Sequence, residues 1–460
     1  MGPATPPVAA EAAGGFAGLL VPRFADNRKT RGRSEFERDQ DRIIFSTAFR
    51  RLNDKTQVFP VPESYFVHNR MTHSLETSAV GRSLGSIVGE RVLERRSGDG
   101  VAGLWGSEES RLLGDLVRAA CLAHDIGNPP FGHSGEDAMS AFFRGRPELL
   151  EGLSPIQAEE FRRFEGNAQG LRVISRISPD LRLTANTIAA FTKYPRSALV
   201  EGWLEAGNEA RRDMKKYGAF SSEAATLEGL LSRFGSRRLA DPGFAMSRFP
   251  FAWLVEAADD ICYLIIDLED AVRLRIVRLA EVEDLLETIV RADPEGLPDL
   301  GRARVGDESQ RMAFWRAKAI NSLVFQCAEA FGAHVDELGR GSWGGSLVSE
   351  IPGAGALDAV RELSASRIYK DRPVLEIEAA GFEVLGGLLD IFTAVALEPS
   401  ASRGVRAATI LEILPAIAPR EGDGRYDALR RVTDYAAGMT DSYALSLYRK
   451  LKGVALPRMY

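Results

Sequence analysis

Apolar residues recur at three- and four-residue steps over most of this chain, and that spacing predicts helices. In SLETSAVGRSLGSIVGERVLERR (74–96), Leu75, Val80, Leu84, Ile87, Val88 and Val92 fall on such steps. Residues 108–124, EESRLLGDLVRAACLAH, repeat the pattern and put acidic residues in the first turn, where the helix dipole favours them. Residues 156–177, 251–280, 310–333, 371–397 and 426–452 read as helical in the same way. Strand signal is confined to TQVF (56–59) and SYFV (64–67), joined by PVPE, which predicts a small β-hairpin. Strands and helices do not alternate regularly. There is no GxxxxGK[ST] loop and no GxGxxG after a strand, so a doubly wound nucleotide-binding sheet is not expected. The expected fold class is all-α.

The polar breaks suggest how the helices are grouped. DPEGLPDLGRARVGDES (293–309) and GRGSWGGSLVSEIPGAGAL (339–357) are rich in Gly, Pro and Ser. They predict a helical unit at 31–290 and a C-terminal helical unit at 291–460. The stretch 201–250 mixes charge with Gly and reads as an inserted lobe. Residues 1–30 are rich in Ala, Pro and Gly, and lack a basic region before their apolar part. They read as a disordered tail rather than a signal peptide.

Composition narrows the class. A length of 460 residues, 45% hydrophobic and 27% charged, fits a globular protein of more than one compact unit. A net charge of -6 gives no bulk signal for nucleic acid. Cys121, Cys262 and Cys327 lie far apart in apolar runs, as buried thiols in a reducing compartment would. Charged and polar breaks interrupt the apolar runs, so no membrane span is expected and the cytoplasm is the expected location.

The chain has five histidines, and two of them lie in CLAHDIGNPPFGH (121–133). Gly127 suits a helix C-terminal cap just after His124-Asp125. At an unwinding helix end, imidazole and carboxylate can converge on a divalent ion. Alone, the dipeptide is equally a capped helix end. His73 opens the helix at 74–96, while Asp259 and Asp260 sit in a mostly apolar helix where ionised carboxylates are costly unless paired. Asp259, Tyr263 and Asp267 step by four and share a face. His133 and Glu136 are three apart in HSGE, close enough to touch on a helical turn.

The order H…HD…D resembles the HD-domain metal phosphohydrolases. RDQDRIIFSTAFRRLNDKTQVFP (38–60), NRMTHSLE (69–76), AHDIGNPPFGHSGEDAM (123–139), FEGNAQGLRVI (164–174), TKYPR (192–196), EAADDICYLIIDLEDA (256–271) and DYAAGMTD (434–441) narrow the resemblance. Together they resemble the deoxyguanosine triphosphate triphosphohydrolase-like family over nearly the whole chain. The resemblance implies an HD-type helical core and a divalent metal, Mn, Mg or Co, held by His73, His124, Asp125 and Asp259. Asp259 is taken over Asp260 because the family's last ligand is followed by Tyr at four and Asp at eight. His133 and Glu136 match the catalytic His/Glu pair. Gln57 matches a glutamine that reads the sugar 3′-hydroxyl. Arg70, Lys193 and Tyr194 resemble phosphate and sugar contacts. One of the adjacent Lys215 and Lys216 resembles a second phosphate-binding lysine, and Lys216 is carried as the candidate. Tyr263 and Asp267 complete the substrate set, with Tyr263 against the deoxyribose. Phe45, Asn53 and His68-Asn69 depart from the usual pattern without touching the metal set.

The implied reaction converts a deoxynucleoside triphosphate into deoxynucleoside and triphosphate. Implied partners are the substrate, further copies of the chain (hexamers are frequent), and a regulatory deoxynucleotide or single-stranded DNA. Two competing readings are an HD-domain nucleotidase or phosphodiesterase acting on another nucleotide, and a non-catalytic regulatory protein that binds nucleic acid.

Overall fold

The computed structural model describes residues 32–59, 67–98, 105–178, 180–200, 211–240, 243–295 and 306–455. The main helices are α1 (Glu35–Phe45), α2 (Arg70–Val88), α3 (Ser107–Ala123), α4 (Gly132–Arg144), α5 (Pro155–Arg162), α6 (Gly166–Arg172) and α7 (Ala185–Phe191). They continue with α8 (Ser221–Arg233), α9 (Ala252–Arg273), α10 (Leu279–Arg291), α11 (Glu308–Ala333), α12 (Arg372–Leu397), α13 (Arg425–Ala437) and α14 (Asp441–Leu451). The chain is all-α, as its periodicity predicts. Two predicted helices are each split: 156–177 is interrupted between Arg162 and Gly166, and 426–452 between Ala437 and Asp441.

The small β-hairpin is not found among the described residues. Thr56 makes one isolated antiparallel bridge with Asn69, and residues 60–66 of the expected hairpin lie outside the described residues. Phe59 and Val67, the apolar positions that suggested strands, are buried in the core instead. The expected tail at 1–30 also lies outside the described residues, as do 201–210 of the expected lobe.

Buried apolar side chains form two main clusters. The first gathers α1, α2, α3, α7, α9, α10 and α11, and runs from Phe36 to Val374. Helix α11, beyond the break at 293–309, packs on α10, α9 and α2, so this cluster draws on both sides of residue 290. Helices α2 and α3 approach closely because Gly85 faces Gly114: a Cβ on Gly85 would lie 3.0 Å from the Gly114 Cα. The second cluster joins α4 and α5 to α12, α13 and α14. Helix α12 is long and apolar enough to cross a membrane, but 56% of its most apolar window is buried inside the protein. It packs on α4 and α13, as a core helix does.

Candidate functional site

Three side chains from three helices meet where α2, α3 and α9 converge. His73 lies in the first turn of α2, whose start is fixed by a capping box between Asn69 and Thr72. His124 ends α3, and its Nδ1 donates to the Cys121 carbonyl at 2.7 Å. A carbonyl only accepts, so the neutral ring presents Nε2 with its lone pair. Asp259, on α9, places Oδ1 3.0 Å from His73 Nε2 and 3.3 Å from His124 Nε2. The three ligand atoms lie within 4.8 Å of one another. His124 Nε2 is buried and makes no hydrogen bond. Buried polar atoms are rarely left so, and two imidazoles with a carboxylate suit a divalent transition metal. The residues therefore fit the metal that their order implied.

Asp125 adjoins this trio, its Oδ1 3.5 Å from His124 Nε2. Its Oδ2 accepts from Arg70 at 2.8 Å and its Oδ1 from the Asn128 amide. Burial works against charge on Asp259, but Lys193 and His124 outweigh it and hold the carboxyl well below the usual range. Lys193 forms an ion pair with Asp259 Oδ2. Arg248 keeps the lysine's backbone in place by donating to its carbonyl at 2.6 Å.

The trio opens into a cavity of about 400 Å³. Gln57, Arg70, Asp125, His133, Glu136, Lys193, Tyr194, Lys216 and Tyr263, all named from the sequence, line it. His133 is 72% exposed at its side chain, and its Nδ1 is 2.9 Å from Glu136 Oε2. Glu136 is buried, and its Oε1 accepts from the Gly166 N–H at 2.6 Å. Burial alone would raise its pKa, but the His133 hydrogen bond and Lys216 overcome this and bring it down to about 2. Lys216 Nζ stands 3.2 Å from Glu165 and 3.7 Å from Glu136.

Asp267 does not line the cavity. It lies eight residues beyond Asp259 on α9, about 12 Å along the axis at 1.5 Å per residue. There it is buried and accepts from the Tyr369 hydroxyl at 2.9 Å, while the Tyr369 ring stacks on Tyr263 with centroids 6.0 Å apart. Its contact is with the support of Tyr263, not with the space a ligand would fill.

The cavity also includes residues that the sequence reading passed over. Arg212 pairs with Glu256 at 3.1 Å and with Asp260 at 2.9 Å. Asn128 and Asn167 complete the wall, together with Lys215, the alternative to Lys216 that the sequence left open. Asn128 stood in view, three residues after Asp125. Arg212 and Glu256 carried no local signal, because they are paired across distant segments; Asp260 was weighed as a ligand and set aside, and it pairs with Arg212 instead.

A larger cavity of about 840 Å³ lies elsewhere, lined by Arg51, Arg172, Arg431, Asp434, Tyr435 and Tyr443 among others. Three of its arginines have carboxylate partners: Arg172 pairs with Asp434 and Glu223, Arg176 with Glu223, and Arg431 with Asp423. No histidine lines it, and the His/Asp cluster that could hold a metal lies at the smaller cavity.

Comparison with known proteins agrees with this geometry. Residues 70–214 match the HD domain and residues 353–450 match the phosphohydrolase-associated domain. A deoxyguanosinetriphosphate triphosphohydrolase-like protein of Synechocystis is 38% identical over 436 residues, covering 92% of this chain and 95% of that protein. One from Pseudomonas aeruginosa is 40% identical over 441 residues, covering 93% and 95%. A deoxyguanosinetriphosphate triphosphohydrolase of Cronobacter sakazakii is 31% identical over 489 residues, covering 91% and 94%. With the His73–His124–Asp259 trio, the His133–Glu136 pair and these end-to-end matches, the chain belongs to the deoxyguanosinetriphosphate triphosphohydrolase-like family of HD-domain phosphohydrolases.

Proposed function

We propose that this cavity hydrolyses deoxynucleoside triphosphates to deoxynucleoside and inorganic triphosphate. The observation that carries the reading is the trio His73, His124 and Asp259 facing a pocket with five basic side chains, Arg70, Lys193, Arg212, Lys215 and Lys216. Five carboxylates, Asp125, Glu136, Glu256, Asp259 and Asp260, line the same pocket, so the five bases together with a divalent ion on the acids are what would meet a polyanionic triphosphate. Glycosidic or peptide substrates do not call for that set.

His73, His124, Asp125 and Asp259 are the proposed ligands of a divalent ion, Mn, Mg or Co, which when bound supplies Lewis acidity at the α-phosphate. Lys193, Lys216 and Arg70 hold the phosphates. The neighbouring acids keep these bases charged and in place: Asp259 pairs with Lys193, Glu165 with Lys216 and Asp125 with Arg70. Glu136 engages His133 Nδ1, so proton transfer at the reacting centre falls to Nε2. Gln57 reads the 3′-hydroxyl and Tyr263 packs against the deoxyribose, with Tyr194 beside the phosphate path. Asp267 acts by holding Tyr369 against Tyr263. We extend the same reading to a cytoplasmic homo-oligomer, a hexamer being one form the family resemblance implies, with a regulatory deoxynucleotide or single-stranded DNA as further candidate partners.

The test is product analysis with the four deoxynucleoside triphosphates and GTP, in Mn, Mg and Co. Deoxynucleoside and intact triphosphate are expected in equal amounts. Release of pyrophosphate or orthophosphate would overturn the assignment.

A further inference from the structure

The segment DYAAGMTD (434–441) lies far along the chain from every residue of the cavity wall, yet its last residue bonds to two segments that carry wall residues, Gln57 and His133. Asp441 is the first residue of α14. Both of its carboxylate oxygens accept backbone N–H groups: Oδ1 from Phe131 at 2.9 Å, and Oδ2 from Thr56 at 2.8 Å. Thr56 immediately precedes Gln57, and Phe131 stands two residues before His133.

The Phe131 end is strained. Phe131 has φ 62 and ψ 18, in the left-handed region that non-glycine residues avoid, and Gly132 follows at φ 60. Such a conformation persists only where its surroundings hold it. The Thr56 end is a single bridge to Asn69, without the support of a sheet. A second tie joins the same three segments: Lys55 Nζ donates to the carbonyls of Asn128 and Ala437. The partners also come from different cores. Thr56 follows Leu52, in the first cluster, while α4 and α14 belong to the second.

We propose that Asp441 is a positioning residue, whose carboxylate sets the spacing between Gln57 and His133 across the cavity. The inference rests on the roles proposed above for those two residues. The alternative is that Asp441 serves only α14, as an acidic first-turn residue opposite the helix dipole. That role would change stability without touching the kinetics.

The test is Asp441→Asn in the full chain. An asparagine oxygen can accept one of the two N–H groups, and its amide then faces the other. With metal content unchanged, kcat should fall by about 10²-fold, the scale of a roughly 1 Å misplacement, and KM should rise through Gln57. In a His133→Ala background the same substitution should cost no further kcat, because both changes act on one step. Wild-type kcat and KM in folded Asp441→Asn would overturn the inference, as would an undiminished second loss in the double variant. If Asp441→Asn does not accumulate as folded protein, Asp441→Glu moves the carboxylate outward by one methylene and takes the same assays, with unchanged kinetics again counting against the idea. His133→Ala with full turnover would instead remove the catalytic role on which the inference rests.

Discussion

The Nδ1–H of His124 is committed to the Cys121 carbonyl, and this leaves Nε2 directed to the shared focus with His73 and Asp259. His133 is held differently, by a carboxylate at one nitrogen and otherwise by little, since its side chain is 72% exposed. The two histidines therefore separate on mutation. His124→Ala should purify without metal, as read by elemental mass spectrometry. His133→Ala should keep its metal and lose about 10²–10⁴-fold in kcat, the usual range for a missing acid–base group. Metal lost from His133→Ala would show that the division of roles is wrong. This much of the site was legible only through the family resemblance, because the HD dipeptide and the HSGE turn read by themselves equally as helix ends. Asp267 shares the four-residue step of Asp259 and Tyr263 and still falls outside the cavity, because periodicity gives a helix face but not how far along it a ligand extends.

At the scale of elements, the turn after α3 depends on Gly127. The sequence suggested a helix cap there, but α3 ends at Ala123 with His124 as its cap, and Gly127 is not in a left-handed conformation. Its role is close approach: a Cβ would fall 2.1 Å from both the Gly166 carbonyl oxygen and the Gly170 nitrogen of α6. Helix α6 in turn presents the Gly166 N–H to Glu136. Gly127→Ala should then push α6 away, costing about 1–3 kcal/mol by overpacking and lowering kcat through Glu136. Urea unfolding and initial rates check both, and an unchanged midpoint would refute the packing argument. Helix periods were readable along the chain because burial on one face sets them. The interruption at residues 163–165 was not, since the backbone there bonds to side chains distant in sequence: Phe164 N–H donates to Ser140 and, at the start of α6, Gly166 N–H donates to Glu136. The expected hairpin is not seen among the described residues: Phe59 and Val67 are buried in the first core, and residues 60–66 lie outside the described residues.

Across the whole molecule, buried charge ties the helices of the first core together. His68, before α2, donates its backbone N–H to Asp270 of α9 at 2.9 Å, its Nδ1 lies 2.9 Å from the same carboxylate, and its Nε2 lies 3.3 Å from Glu76. Burial favours the neutral ring, but Asp270 and Glu76 outweigh it and push the pKa up to about 10 from 6.5. The folded value lies above the unfolded one, so the stabilisation is complete below about pH 6.5 and lost as pH rises through about 10. The urea midpoint should fall over that window, and His68→Phe should flatten the fall. A slope unaffected by the substitution would exclude the pair as its source. The division into two cores has a further consequence. The proposed metal ligands stand on α2, α3 and α9 of the first, whereas His133 and Glu136 ride on α4 of the second. Proteins open in cooperative parts before they unfold globally. If the part built on α12 to α14 opens first, in dilute urea, the protein should pass through a form that still chelates its ion and no longer turns over.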